Sequence, residues 1–344
     1  FYHFFRAASF VESPETGTTF IERVFTGSIQ YGSELQNRLK DLIFDEIFLH
    51  LAEGFIEFQQ KNGAKKIDDQ ENLDAIYEGT LRLLYRLLFI LYAEARDLLP
   101  VQEKGYRKYS MMHQRRRAWE AIHDGDTLSS VGHDYWNDLR SLFRIIDLGD
   151  SDLNVPRYNG GLFRQTHPKN AFFLDHTVPD KYLVPALHLL TMDKDPETGE
   201  KRFIDYKTLD VEQLGSIYEG LLEFHLRIAD EPLAVTKEKG REVYKPVDEV
   251  EKPLRIIEQG EPYLENDKGE RKATGSYYTP DYIVQYIVEN TVGPVLKDRS
   301  NHFAELMDEI NERSSGNRKQ PVKQLEQEAI NTFLGIKVCD PAMG

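Results

Sequence analysis

Apolar residues recur every three or four positions through most of this chain, and the period changes only well past its middle. Leu35, Leu39, Leu42, Ile43, Ile47, Leu51 and Phe55 form one such stripe. It predicts a helix with Ser33 as N-cap and the polar stretch KNGAKKIDDQ as the loop after it. The strongest helical pattern runs from Asn72 to Leu99. There Leu73, Ile76, Tyr77, Leu84, Leu87, Leu88, Leu91, Ala95 and Leu98 keep the period, and Pro100 ends it. Leu81, Leu83, Phe89 and Ile90 lie off that stripe, so other helices are expected to wrap it. Glu78, Arg82, Arg86, Glu94 and Arg96 interrupt the segment and exclude a membrane span.

The pattern weakens from Val101 to Asp134 and returns over Trp136–Ile146. It gives way to a glycine turn at RYNGGLF (Arg157–Phe163), then is helical over Tyr182–Leu190 and Val211–Ile228. IYEG occurs at Ile76 and at Ile217, with too little agreement around it to argue a duplication. From Ala234 the helical period is lost. AVTKEKGREVYKP and EPYLENDKGERKATGSYY read as short strands around glycine turns, a small hairpin region. A different module begins near Ala273. In it TPDYIVQYIVENTVGPVL is helical, with Pro280 near the first turn and Ile283, Ile287 and Val288 on one side. Polar NERSSGNRKQP separates it from a last helix and a buried-strand pattern at Ile336, Val338 and Cys339.

Composition narrows the class. With 344 residues, 40% hydrophobic and 29% charged, the chain has room for two globular domains, each with its own core. The single cysteine leaves no internal disulfide or multi-cysteine zinc site, which makes a reducing cytoplasm the expected setting. The net charge of −15 argues against a surface coated in basic residues, though a local basic groove for DNA is compatible with it.

Two stretches carry the candidate chemistry: TGSYYTPDYIVQYIV from Thr274, and VCDPAMG from Val338. The second is a strand pattern running into Asp340, Pro341, Ala342 and Gly344, the way a nucleotide-type binding turn begins. Taken singly, each stretch is also what an ordinary strand-turn or a proline-started helix would give.

Together and in this order, the two stretches closely resemble the opening motifs of γ-type DNA N6-adenine methyltransferases. The resemblance implies S-adenosylmethionine as cofactor. Tyr277, Tyr278, Thr279 and Pro280 would form the outer wall of its pocket, and Asp340, Pro341, Ala342 and Gly344 the floor. Upstream, LRLLYRLLFILYAEARDLLP, YNGGLF and LGSIYEGLLEF are similar to the helical connector of type IIG restriction–modification enzymes, single chains that cut and methylate duplex DNA. The implied fold is mainly α. A helical connector spans 1–230 and a strand or hairpin linker 231–272, and the N-terminal part of an α/β, Rossmann-like methyltransferase domain spans 273–344. In that architecture the nuclease comes first, and only it requires Mg²⁺; a target-recognition domain comes last. Phage-defence methyltransferases of the BREX type share much of the pattern. A non-catalytic helical scaffold is the alternative from another class.

No NPP tripeptide occurs, so the motif that would hold a flipped adenine is expected beyond Gly344. The chain is thus expected to be a piece of a longer enzyme, to carry no catalytic residue and to methylate nothing by itself. Asp180, Asp205 and Lys207 formally match a metal-dependent nuclease, but such matches arise by chance in so acidic a chain and both stretches sit beside expected turns. Arg115, Arg116 and Arg117 are the candidate contacts to DNA phosphates, or else a solvated helix face. Cys339 reads as a small buried apolar residue, and no histidine pair has zinc spacing with a supporting acid.

Overall fold

The computed structural model describes residues 7–13, 16–63, 69–158, 160–194, 199–209, 211–222, 224–238, 241–266, 281–315 and 322–339. It divides into two compact units, Phe1–Glu270 and Arg271–Gly344. Among the described residues the structure is mostly helical with small antiparallel sheets.

The first unit opens on α1 (Phe20–Leu42), which passes through a π-turn (Ile43–Ile47) into α2 (Phe48–Lys61) without a break. Its N-cap is Thr19, not Ser33. The Thr19 hydroxyl accepts from the Glu22 amide at 3.1 Å, and the Glu22 carboxylate accepts from the Thr19 amide at 2.7 Å. Ser33 lies inside α1, where its hydroxyl donates to the Ile29 carbonyl. The early start was hidden because the first three turns are almost entirely exposed and carry no apolar stripe. The π-turn has a physical cause in the sequence. Leu35, Leu39, Ile43, Ile47, Leu51 and Phe55 are spaced by four and all fully buried. In an α-helix each four-residue step over-rotates by about 40°. A wider turn in the middle uses more residues per revolution and returns the stripe to the core.

α3 (Gln70–Ala95) is buried on several faces, as its off-stripe leucines predict. It ends four residues before Leu99, because Asp97 takes a left-handed φ of 55° and the Leu98 amide closes back on the Ala93 carbonyl. The weak region after it is helical too, with α4 (Lys104–Arg107) and α5 (Met111–Asp124). The residues α5 buries are Met111, Gln114, Ala118 and Ala121, too small or polar to show a period. α6 (Asp134–Leu148), α7 (Phe172–Asp175) and α8 (Asp180–Thr191) complete the body, and α8 packs against α2, α5 and α6. At Gly54 of α2 an added Cβ would lie 2.5 Å from Val178, and at Gly79 of α3 one would lie 2.3 Å from the Phe172 ring.

β1 (Met192–Lys194) and β2 (Lys201–Phe203) form a hairpin before α9 (Val211–Leu221). The expected helix to Ile228 stops at Leu221, since β3 (Phe224–Ile228) is a strand. β3 pairs with β7 (Pro262–Asn266), a long-range partner that no local period reveals, while the rest of the expected hairpin after Asn266 lies outside the described residues. Between them β4 (Leu233–Glu238), β5 (Arg241–Pro246) and β6 (Arg255–Ile257) make a sheet of order β5-β4-β6. Leu226 and Leu264 of the β3–β7 pair are buried in the main core, so these strands belong to the helical body and are more than a linker.

The second unit contains the helices Asp281–Ser315 and Lys323–Leu334, joined by a small core of Leu306, Ile310 and Ala329. The first of these helices runs through Pro294 and into the polar stretch that was expected to end it. The expected strand at Ile336–Cys339 is irregular, with Val338 71% exposed and Cys339 exposed rather than buried. A strand needs a neighbour to pair with, and none lies beside this segment among the described residues.

Candidate functional site

A cleft of about 870 Å³ opens beside α3 in the first unit. One wall is the helix face carrying Asp74, Glu78 and Arg82, each one turn from the next. Tyr218, Leu222, Phe224 and His225 form a second wall, from the end of α9 into β3. Two tyrosine hydroxyls of α3 hold that wall in place: Tyr77 donates to the Leu221 carbonyl and Tyr85 to the Tyr218 carbonyl. The Tyr85 and Tyr218 rings lie 4.3 Å apart, and burial raises the Tyr85 hydroxyl far above the ordinary phenol range, so it stays neutral.

The third wall is the loop with Gly161, Leu162, His167 and Lys169. Buried Asn170 shapes it, donating to the carbonyls of Gly161 at 2.8 Å, Leu162 at 3.3 Å and Arg164 at 2.8 Å. Arg86 adds a donor to the Leu162 carbonyl at 2.9 Å. Its guanidinium sits among the rings of Phe143, Phe163 and Phe173, 4.3 to 5.8 Å from their centroids. Burial lowers its pKa to about 10, with Arg82 also disfavouring the charge and Asp147 favouring it. Arg86 therefore remains charged at neutral pH.

Sequence reasoning missed this cleft because its walls come from three separate stretches. The acid-acid-base spacing on α3 and the YNGGLF turn were the available signals.

The residues assigned to the cofactor pocket, Tyr277, Tyr278, Thr279, Pro280, Asp340, Pro341, Ala342 and Gly344, lie outside the described residues. Arg115, Arg116 and Arg117 are described, and they fan out, as consecutive helical residues must. Arg115 packs over the Phe203 ring at 4.7 Å, where burial works against its charge and Glu94 and Asp205 support it. Arg116 is exposed and pairs with Glu120 at 2.9 Å. Arg117 pairs with Asp138 and lies 4.4 Å from the Tyr135 centroid.

Asp180 and Asp205 each serve as a local cap. Both Asp180 oxygens accept at 3.1 Å from the amides of Asp134 and Tyr135, at the start of α6. Asp205 accepts from the amide of Lys207 at 3.0 Å. Among the described residues no three His, Cys, Asp or Glu side chains converge as a metal site, and no helix is long and apolar enough to cross a membrane. Compared with protein families, with curated proteins and with solved structures, the chain has no match.

Proposed function

We propose that this chain carries the helical connector and the opening cofactor-binding motifs of a DNA adenine-N6 methyltransferase of the type IIG restriction–modification kind. The observation that carries the reading is the pair of motifs in sequence order, GSYYTP at Gly275–Pro280 and DPAMG at Asp340–Gly344. S-adenosylmethionine has a cationic sulfonium and a zwitterionic amino-acid end. Asp340 would take its ammonium, Thr279 its carboxylate, and Tyr277 or Tyr278 would pack on it. Gly344 would give the main chain access. Transfer needs the acceptor amine held in line with the methyl group, so the duty of these residues is positioning. The partner is duplex DNA and the setting the cytoplasm, with any Mg²⁺ requirement confined to a linked nuclease.

The first unit supports the connector part of the reading. Its buried acids Glu94 and Asp180 cap helices, so the body is built to hold its shape. Arg116 is the exposed member of the arginine run and the first to test as a phosphate contact. Calorimetry on the gene product tests the cofactor assignment. Asp340→Ala should weaken S-adenosylmethionine binding about ten-fold or more, the loss of one charge-assisted hydrogen bond. Unchanged affinity would make Asp340 a turn residue only.

A further inference from the structure

We infer that the cleft beside α3 is a binding site for a nucleotide, taking its base between the tyrosine wall and the loop and its phosphate at Arg82 and Lys169. This inference does not depend on the methyltransferase reading. Its first support is charge. Among the described residues neither the half-buried Arg82 guanidinium nor the Lys169 ammonium makes a hydrogen bond or ion pair, although Glu78 stands one turn from Arg82. By contrast, Arg38 and Arg117 are each closed onto an aspartate. Arg82 and Lys169 line the same cleft, so an anion entering it would meet both.

The second support is shape. Tyr218, its ring 4.3 Å from that of Tyr85, is still 43% exposed where it lines the cleft, and a base entering there would meet it. The loop that carries Lys169 is fixed beforehand by Asn170 and Arg86, so a ligand need not order it. The third is polarity. Asp74 and Glu78 lie toward the other end of the α3 wall, with Asp74 about 12 Å along the helix from Arg82 at 1.5 Å per residue. At that far end Asp74 already accepts from the Gln70 side-chain amide at 2.6 Å, so the acid left for a nucleotide's ribose hydroxyls is Glu78, one turn from Arg82.

The same chemistry is offered by a free nucleotide and by one nucleotide of a single strand. Calorimetry on the full chain with adenosine 5′-monophosphate, adenosine, inorganic phosphate and a single-stranded DNA of about ten nucleotides separates them. Adenosine 5′-monophosphate or the strand should bind, whichever is tighter naming the source. Adenosine and phosphate alone should each be weaker by at least about ten-fold. Lys169→Gln, on an exposed side chain that leaves the fold intact, should cost about ten-fold, as should Arg82→Gln, while Arg140→Gln on α6 should cost nothing. The inference is overturned if neither the nucleotide nor the strand binds, or if binding survives both Lys169→Gln and Arg82→Gln unchanged.

Discussion

Glu94, in the last turn of α3, caps α5: its carboxylate accepts from the amides of Met111 and Met112 at 2.8 and 3.0 Å and from the Tyr106 hydroxyl at 2.9 Å. One side chain thus fixes two helices and the turn between them, and it does so buried.

That burial makes the contact pH-dependent. Desolvation raises the Glu94 pKa above its ordinary 4.5, outweighing the bonds from Met111, Tyr106 and Met112 that lower it. A carboxyl raised in the folded state binds its proton more tightly there than in the unfolded chain. Its contribution is fully present below 4.5 and is lost as pH rises through the raised value. Chemical denaturation of the wild type and of Glu94→Gln, compared from pH 4 to 8, should show the wild type losing stability relative to the variant as pH rises. A difference that is flat across that range would contradict the assignment.

The caps at Asp180 and Asp205 predict opposite outcomes. Asp180→Ala strips two amides at the start of α6, one of them buried, and should cost about 1–3 kcal/mol by thermal unfolding. Asp205 serves an exposed turn, so Asp205→Ala should leave the melting temperature and any Mg²⁺-dependent cleavage by the gene product nearly unchanged. Loss of cleavage in Asp205→Ala with the fold intact would make this region catalytic.

The core of the first unit should be least tolerant along α3. Leu88 is 5% exposed, so Leu88→Ala should cost about 2–5 kcal/mol. Gly79→Ala drives a methyl against the Phe172 ring and should cost about 1–3 kcal/mol. Equilibrium denaturation reads both, and near-neutral values would place these residues outside the core.

The helices that were legible in the sequence are those whose burial is apolar and continuous: α3, α6 and α8 follow from leucine and isoleucine spacing. Those that were not legible are held by other forces. The first turns of α1 rest on the Thr19–Glu22 capping box, and α5 rests on Ser110 and Glu94 at its start with alanine and glutamine beneath it. β3 was read as helix because Phe224–Ile228 is defined by its pairing with Pro262–Asn266, far along the chain. The cleft escaped for the same reason, since Arg82, Lys169 and Tyr218 become neighbours only in the fold. The reverse holds for the cofactor motifs, which are read from sequence alone.

The most direct test of the central proposal is adenine methylation itself. Expression of the full-length gene that contains this coding sequence in a host free of adenine methylation, followed by modification-sensitive sequencing of the host DNA, should show N6-methyladenine at one recurring sequence. Asp340→Ala should abolish it. Unmodified adenine throughout, with the protein expressed and folded, would contradict the methyltransferase reading.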